Sequence, residues 1–115
     1  MQTNKAVNEQ DIYGFLGLCM KAGKIIGGEE RVIEAVRDGN AVIVLVAEDI
    51  SDNSRKLYTN KCSFYKTQIV TFGNCEGLGK CTGKIKRAAL AITDEGLAKA
   101  FSEKLLRFHQ SYSQN

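Results

Sequence analysis

The run Ala41–Ala47, AVIVLVA, is apolar at all seven positions and is flanked on both sides by segments with helical periodicity. A strand that is apolar on both faces must be covered on both faces. A membrane-spanning helix would need roughly 20 apolar residues, so the run predicts a buried strand and gives no support for a membrane protein. It therefore favours an α/β fold in which helices cover both sides of one sheet.

Helical and strand-like segments alternate along the rest of the chain. The spacing of apolar residues predicts a first helix near residues 8–22 and a second helix that begins at Gly28 and ends at Gly39. The polar residues Ser51–Asn53 and Thr93 are predicted to cap two later helices. The length of 115 residues fits one domain, 1–115, with a core of about 8–110. Further strands are predicted at Ile25–Ile26, 67–72 and 88–92.

Charge is distributed unevenly along the chain, although the net charge is only +3. Residues 1–52 carry five Lys or Arg and nine Asp or Glu, a net charge of −4. Residues 53–93 carry eight Lys or Arg and one acid, Glu76, a net charge of +7, and residues 94–115 balance at three of each sign. The basic block predicts an anionic partner met on one side of the molecule, or otherwise a surface kept basic for solubility.

The glycine-rich stretch Gly73–Lys84, GNCEGLGKCTGK, follows a predicted strand and invites comparison with phosphate-binding loops. A Walker loop requires a glycine five residues before its Gly-Lys pair, and this chain has Asn74 or Leu78 there. A dinucleotide fingerprint fails because its third glycine falls on Thr82. The alternative is that these glycines permit tight turns and close packing of the backbone.

Four cations lie within the eight residues from Lys80 to Arg87, and no acid lies among them. The apolar residue Ile85 stands in the middle of this loop, directly before the predicted strand AALAI. Cations on a positioned loop bind phosphates, and an exposed aliphatic side chain packs on an unstacked base of the kind that RNA loops and bulges offer. The pattern favours RNA contact over a solvated loop with Ile85 in the core.

Catalytic chemistry has little support. The one histidine, His109, is predicted to lie on the surface of the last helix, and no serine stands in a nucleophile-elbow context. Glu48–Asp49 could hold magnesium, but adjacent residues of an extended segment point to opposite faces, which favours capping of the following helix instead. We expect no enzymatic activity, no cofactor and no metal, and the polar first ten residues give no sign of a signal peptide.

Three segments together resemble the kink-turn-binding ribosomal proteins of the L7Ae and L30e group. GGEERVIEAVRDGNAVIVLVAED is similar to the family segment G-x-N-E-x-x-K, a glycine, an apolar strand and A-E-D, and LGKCTGK is similar to its L-G-(K/R)-A-C/A-G element. The order of elements matches over about residues 12–108, most closely a bacterial type of this group. The resemblance implies a three-layer α/β/α sandwich with a mixed four-stranded sheet, and a loop, here Cys81–Arg87, that packs on flipped-out nucleotides.

The family motif carries over only in part. Its glycine falls on Gly28, whereas its asparagine falls on Glu30, its glutamate on Arg31 and its lysine on Glu34. The resemblance implies a ribosome-associated protein bound to ribosomal RNA or another kink-turn RNA. We expect the protein to be cytoplasmic, with reduced thiols, and monomeric. The residues predicted to contact RNA are Lys24, Gly28, Glu30, Arg31, Glu34, Lys80, Lys84, Ile85, Lys86 and Arg87.

Two other classes of function stay open at this point. One is a small nucleotide-binding or RNA-modifying enzyme that uses Asp49 and the glycine-rich loop, and binding of a free nucleotide without RNA would favour it. The other is a protein-interaction module of the same superfamily. An acidic partner that meets the cations of residues 53–66 would favour the second class.

The four cysteines, Cys19, Cys62, Cys75 and Cys81, match no usual zinc spacing, and no C-x-x-C occurs. We predict that elemental analysis of the purified protein finds no stoichiometric zinc. A chelator should leave the thermal unfolding transition unchanged, because no metal contributes to the folded state. One zinc ion per chain would contradict this prediction.

Overall fold

A mixed four-stranded sheet lies at the centre of the structure, a computed structural model that describes residues 7–113. Strand β4 is antiparallel to its neighbours β1 and β2, while β2 and β3 are parallel. Strands β1, β2 and β3 therefore all end on the side where β4 begins, which we call the carboxyl end of the sheet. The strands are β1 (Ile25–Gly27), β2 (Ile43–Val46), β3 (Gln68–Thr71) and β4 (Ala89–Ile92), in the spatial order β1-β4-β2-β3.

Helices cover both faces of this sheet, as the two-faced apolar strand predicted. On one face Ile43 and Leu45 pack in a cluster with helix residues such as Leu16 and Phe101. On the other face Val44 and Val46 belong to a second cluster with residues of two further helices. The three-layer α/β/α prediction is confirmed. The first face carries α1 (Glu9–Lys21), α4 (Cys75–Cys81) and α5 (Glu95–Ser113), and the second carries α2 (Glu29–Arg37) and α3 (Asp52–Tyr65).

Helix α3 begins where its sequence predicted, and helix α5 uses a different cap. The Ser51 side chain accepts a hydrogen bond from the backbone N–H of Ser54 at 3.1 Å. The prediction that Thr93 caps α5 is wrong, because the Asp94 carboxylate accepts the N–H of Leu97 at 2.9 Å. Thr93 instead donates its hydroxyl to the Lys24 carbonyl, so it ties β1 to the end of β4.

Within the described residues, none of the helices combines the length and the apolar character needed to cross a membrane.

Glycines of α4 allow two close approaches that place the following loop. A Cβ atom at Gly79 would stand 2.6 Å from the Lys86 nitrogen and 2.7 Å from the Ile85 carbonyl carbon, so the loop lies directly on the helix backbone. Gly77 faces the Tyr13 ring of α1 equally closely. Gly73 has a φ of +73°, a conformation that favours glycine. The glycine-rich stretch therefore serves turns and packing.

We predict opposite effects of Gly→Ala substitutions at Gly79 and Gly14. Gly79→Ala should destabilise the fold by about 1–3 kcal/mol, because its Cβ would push the loop backbone off α4. Gly14 is an exposed residue of α1 with nothing within 4 Å of an added Cβ, so Gly14→Ala should stabilise by about 0.5–1 kcal/mol through helix propensity. Chemical denaturation of both variants measures this, and equal effects would contradict the packing role of Gly79.

Candidate nucleic-acid interface

The carboxyl end of the sheet gathers three helix N-termini and one basic loop. Helices α2, α3 and α4 follow β1, β2 and β3, so all three start at this end. The segment Lys84–Arg87, which we call the basic loop, leads into β4 at the same end. Helix N-termini favour anions, and the basic loop adds three full positive charges to that field.

The basic loop is fixed to α4 by backbone hydrogen bonds at both of its ends. The N–H of Lys84 donates to the Gly79 carbonyl at 2.8 Å, and the N–H of Arg87 donates to the Cys75 carbonyl at 2.9 Å. The buried Thr82 hydroxyl donates to the Leu78 carbonyl at 2.8 Å and closes the turn before the loop. The loop is thus anchored, yet the Ile85 side chain at its centre is 86% exposed.

Arg87 connects the basic loop to the start of α2. Its side chain lies across Gly27 and Gly28, where Cβ atoms would stand 2.8 Å from Nε and 3.3 Å from Nη1 respectively. Two adjacent glycines therefore leave room for a guanidinium group that larger residues would displace. Gly28 has a φ of +99°, so it also supplies the turn that starts the helix.

A pocket of about 190 Å³ lies beside this contact. It brings together three of the cations that the sequence predicted for RNA binding, Arg31, Lys84 and Arg87. Sequence reasoning missed the rest of the wall, although the pair Gly27-Gly28 was a usable signal for close packing. The missed lining residues are Met20, Ile25, Gly27, Thr82 and Leu90.

The two predicted glutamates lie on another side of α2. Glu30 and Glu34 line a groove of about 430 Å³ with Leu57 of α3, and Arg31 stands between this groove and the smaller pocket. Glu34 also lies 3.9 Å from Arg37 in an exposed ion pair. The structure therefore places these carboxylates beside the cationic pocket but outside its wall.

Lys24 and Lys80 stand apart from the pocket. The Lys24 carbonyl accepts the N–H of Thr93 at 3.0 Å, which puts its backbone at the opposite end of β1 from Gly28. Lys80 lines a groove of about 380 Å³ between α1 and α4, together with Tyr13. Cations that are neighbours in sequence are thus separated by the helical path of α4.

The basic block of residues 53–93 is divided between two surfaces, which corrects the expectation of a single basic side. The cations of α3 lie on the α2–α3 face, whereas the basic loop follows α4 on the other face. Arg55 has a structural role, because its guanidinium donates to the carbonyls of Ala47 and Glu48 and to the Thr71 hydroxyl, each at 3.2 Å. It joins the ends of β2 and β3.

Asp49 stabilises α4 rather than the helix that follows it in sequence. Its carboxylate accepts the N–H of Cys75, the first residue of α4, at 2.8 Å. This hydrogen bond lowers the pKa of Asp49, and nearby Lys86 adds a smaller effect in the same direction. The prediction that Asp49 caps α3 is wrong, because Ser51 takes that role and leaves the carboxylate free to reach the next loop.

Three backbone donors at the start of α4 are used within the protein. The N–H of Asn74 donates to the Tyr13 hydroxyl, that of Cys75 to Asp49 and that of Gly77 to the Asn74 side chain. A phosphate cradle needs such donors to be free for the ligand. The glycine-rich loop is therefore not built as a nucleotide site.

The thiols offer no reactive or metal-binding centre in the described part of the chain. Burial raises the pKa of Cys81 to about 11 and also raises that of Cys75, so both thiols are protonated at neutral pH. Within residues 7–113, no three His, Cys, Asp or Glu residues are grouped so that they could hold a metal ion.

The chain is similar in sequence to two curated bacterial proteins. It is 38% identical over 86 residues to the RNA-binding protein YlxQ of Bacillus subtilis (strain 168), an alignment that covers 75% of this chain and 86% of that protein. It is 36% identical over 96 residues to the RNA-binding protein YlxQ of Enterococcus faecium, covering 84% of this chain and 92% of the relative.

Solved structures share its fold. A protein of unknown function from Bacillus halodurans C superimposes with a TM-score of 0.77 at 28% identity, covering 81% of this chain and 94% of that one. The Giardia lamblia 15.5kD RNA binding protein gives a TM-score of 0.69 at 16% identity, with coverage of 86% and 85%. At that low identity, the second likeness concerns the fold alone.

A family model also matches, over residues 10–102. This match and the two bacterial relatives confirm the resemblance that the glycine, apolar-strand and LGKCTGK segments suggested. The chain therefore belongs to the ribosomal protein L7Ae/L30e/S12e/Gadd45 family.

Proposed function

We propose that this protein binds structured RNA, that it recognises a kink-turn or a similarly bent element, and that it does so in association with the ribosome and without catalysis. Both curated relatives are named RNA-binding proteins. We further propose that it acts as a monomer in the cytoplasm. Ribosomal RNA or another kink-turn RNA would be its partner.

The observation that carries this proposal is the anchored basic loop with an almost fully exposed isoleucine. Ile85 has 86% of its surface exposed, while the backbone on either side of it is held against Gly79. An exposed aliphatic side chain on a flexible loop would lose conformational entropy on binding. Here folding already orders the loop, so little conformational entropy is left to lose on binding, and Ile85 is positioned to pack on an unstacked base.

The cations around Ile85 would hold the RNA backbone on both sides of that base. Lys84, Arg87 and Arg31 share one pocket, so their charges act on the same one or two phosphates. Lys86, the third cation of the loop, would add a further phosphate contact. Glu29 and Glu30 occupy the first turn of α2 and offset its dipole. The attraction for phosphate would therefore come from the cationic side chains and not from the start of the helix.

Glu30 has a different part in the proposal. As a carboxylate next to the cationic pocket, it would accept hydrogen bonds from base amino or imino groups, whereas it would repel phosphate. Lys24 and Lys80 are left outside the proposed contact because their backbones lie at other parts of the fold.

Two substitutions in the basic loop should separate shape recognition from charge. Lys86→Ala should weaken binding to a kink-turn RNA and to a straight duplex by similar factors, because phosphate contacts carry little sequence information. Ile85→Asp should cost the kink-turn RNA at least about fivefold more than the straight duplex, since packing on a base is worth on the order of 1–3 kcal/mol. Fluorescence anisotropy with labelled RNAs gives both affinities.

The matched control is Leu106→Asp, which places the same charge on a 58% exposed apolar residue of α5. Circular dichroism should show that both acidic variants are folded, because Leu106 and Ile85 are both exposed and outside the core. If folded Ile85→Asp loses affinity equally for bent and straight RNA, kink-turn recognition is wrong.

Binding should also depend on salt. If roughly four phosphates are neutralised by the basic loop and Arg31, the logarithm of the affinity should fall with the logarithm of the salt concentration at a slope of about −3 to −4. Titrations of the kink-turn RNA at several salt concentrations measure the slope. A flat response would exclude the proposed phosphate contacts.

A further inference from the structure

A second surface at the far end of α3 combines exposed aromatic rings with cations. Phe64 is 75% exposed and Tyr65 is 37% exposed, although both are large apolar side chains at the end of a regular helix. Their rings stand edge to face with centroids 4.8 Å apart. We call the group formed by Lys61, Phe64, Tyr65 and Lys66 the aromatic surface.

Charge along this part of the chain is of one sign. No acidic residue occurs between Asp52 and Glu76, so the charged residues of α3 after its first residue are all cations, and β3 has no charged residue. Lys61 precedes Phe64 by three residues and Tyr65 by four, which puts all three on neighbouring positions of the helix surface. Lys66 follows directly as the C-cap.

The backbone conformation of Lys66 is independent evidence that its side chain has a function. Lys66 has φ 59° and ψ 41°, the left-handed conformation, and it is the one non-glycine residue with positive φ in residues 7–113. Glycine is the usual residue at this position because side chains there cost roughly 1–2 kcal/mol. The chain keeps a cation beside the aromatic pair at a site where stability favours glycine.

We propose that the aromatic surface binds an unpaired RNA strand, with a base stacked on Phe64 and phosphates held by Lys61 and Lys66. Aromatic rings with interleaved cations are the means by which proteins bind single-stranded nucleic acid. A stable protein interface would need a wider apolar core, whereas the neighbouring exposed residues Asn60, Ser63 and Gln68 are polar. The surface therefore fits nucleotides better than a protein partner.

The aromatic surface is separate from the basic loop. Helix α3 has 14 residues and starts at the carboxyl end of the sheet. Its last turn therefore lies about 20 Å from that end, at the opposite end of the sheet. An RNA that holds its bend at the basic loop would reach the aromatic surface with an unpaired flanking strand. In this respect the inference rests on the proposed function.

The test compares a kink-turn RNA with and without an unpaired extension of about eight nucleotides, a length within the usual site sizes of 4–16. The extension is placed on either end in separate RNAs, and the free single strand is a third probe. In at least one orientation, the extended RNA should bind the native chain at least about fivefold more tightly than the unextended RNA. Phe64→Ala should remove that gain and leave the unextended RNA unaffected.

Two further variants sharpen the result. Leu106→Ala, an exposed apolar truncation on α5, is the matched control and should preserve the gain. Lys66→Gly should raise the melting temperature by several degrees, because it relieves the left-handed backbone, and yet it should reduce the gain. A variant that is more stable but binds the extension less well cannot be explained by damage to the fold.

The outcomes separate this inference from the proposed function. If the extension gives no gain in either orientation, or if the gain survives Phe64→Ala, the aromatic surface does not bind unpaired RNA and is left for a protein partner, while binding of the unextended RNA still supports the proposed function. If the unextended RNA fails to bind, the proposed function is wrong, and the free strand tests the aromatic surface alone. Equal binding of that strand by native protein and Phe64→Ala would then overturn the inference.

Discussion

The burial of both faces of β2 and β4 is the constraint from which the rest of the structure follows. Every residue of these two strands is buried. A sheet with such a centre is stable only if helices cover it on both sides, and the chain supplies them by alternating helix and strand. Because β1, β2 and β3 are parallel, the helices that follow them all start at one end of the sheet. The position of the candidate interface is therefore a consequence of the core.

Much of this fold could be predicted from the sequence because its signals are local. Apolar periodicity, the flanking glycines and Ser51 gave helices and strands close to their observed bounds. Two predictions were wrong, that Thr93 caps α5 and that Asp49 caps α3. Both concern positions where more than one hydrogen-bond partner is within reach. Asp94 competes with Thr93 for the start of α5, and an ionised carboxylate is the stronger acceptor. Asp49 reaches across to α4, a contact between residues 26 positions apart that no local pattern contains.

The candidate site was predictable to a smaller extent, since neighbours in sequence are not always neighbours in space. Lys80 and Lys84 are four residues apart, yet α4 ends between them and the turn at Gly83, with a φ of +77°, reverses the chain. Lys80 consequently faces α1, while Lys84 faces Arg31 from a distant part of the sequence. The contact of Arg87 with Gly27 depends on the pairing of β1 with β4, which only the assembled sheet determines.

The small net charge of +3 does not weaken the case for an anionic partner, because the relevant quantity is the local field. At physiological ionic strength, charges separated by more than about 8 Å are largely screened from one another in solvent. Helix α3 spans about 20 Å from the carboxyl end of the sheet to its last turn, so the cations at its end and those of the basic loop form separate fields. Asp49 lies near Lys86 of the basic loop, and Glu29 and Glu30 stand at the start of α2. In the proposed contact, these acids would leave the Arg87 side of the pocket as the place for a phosphate.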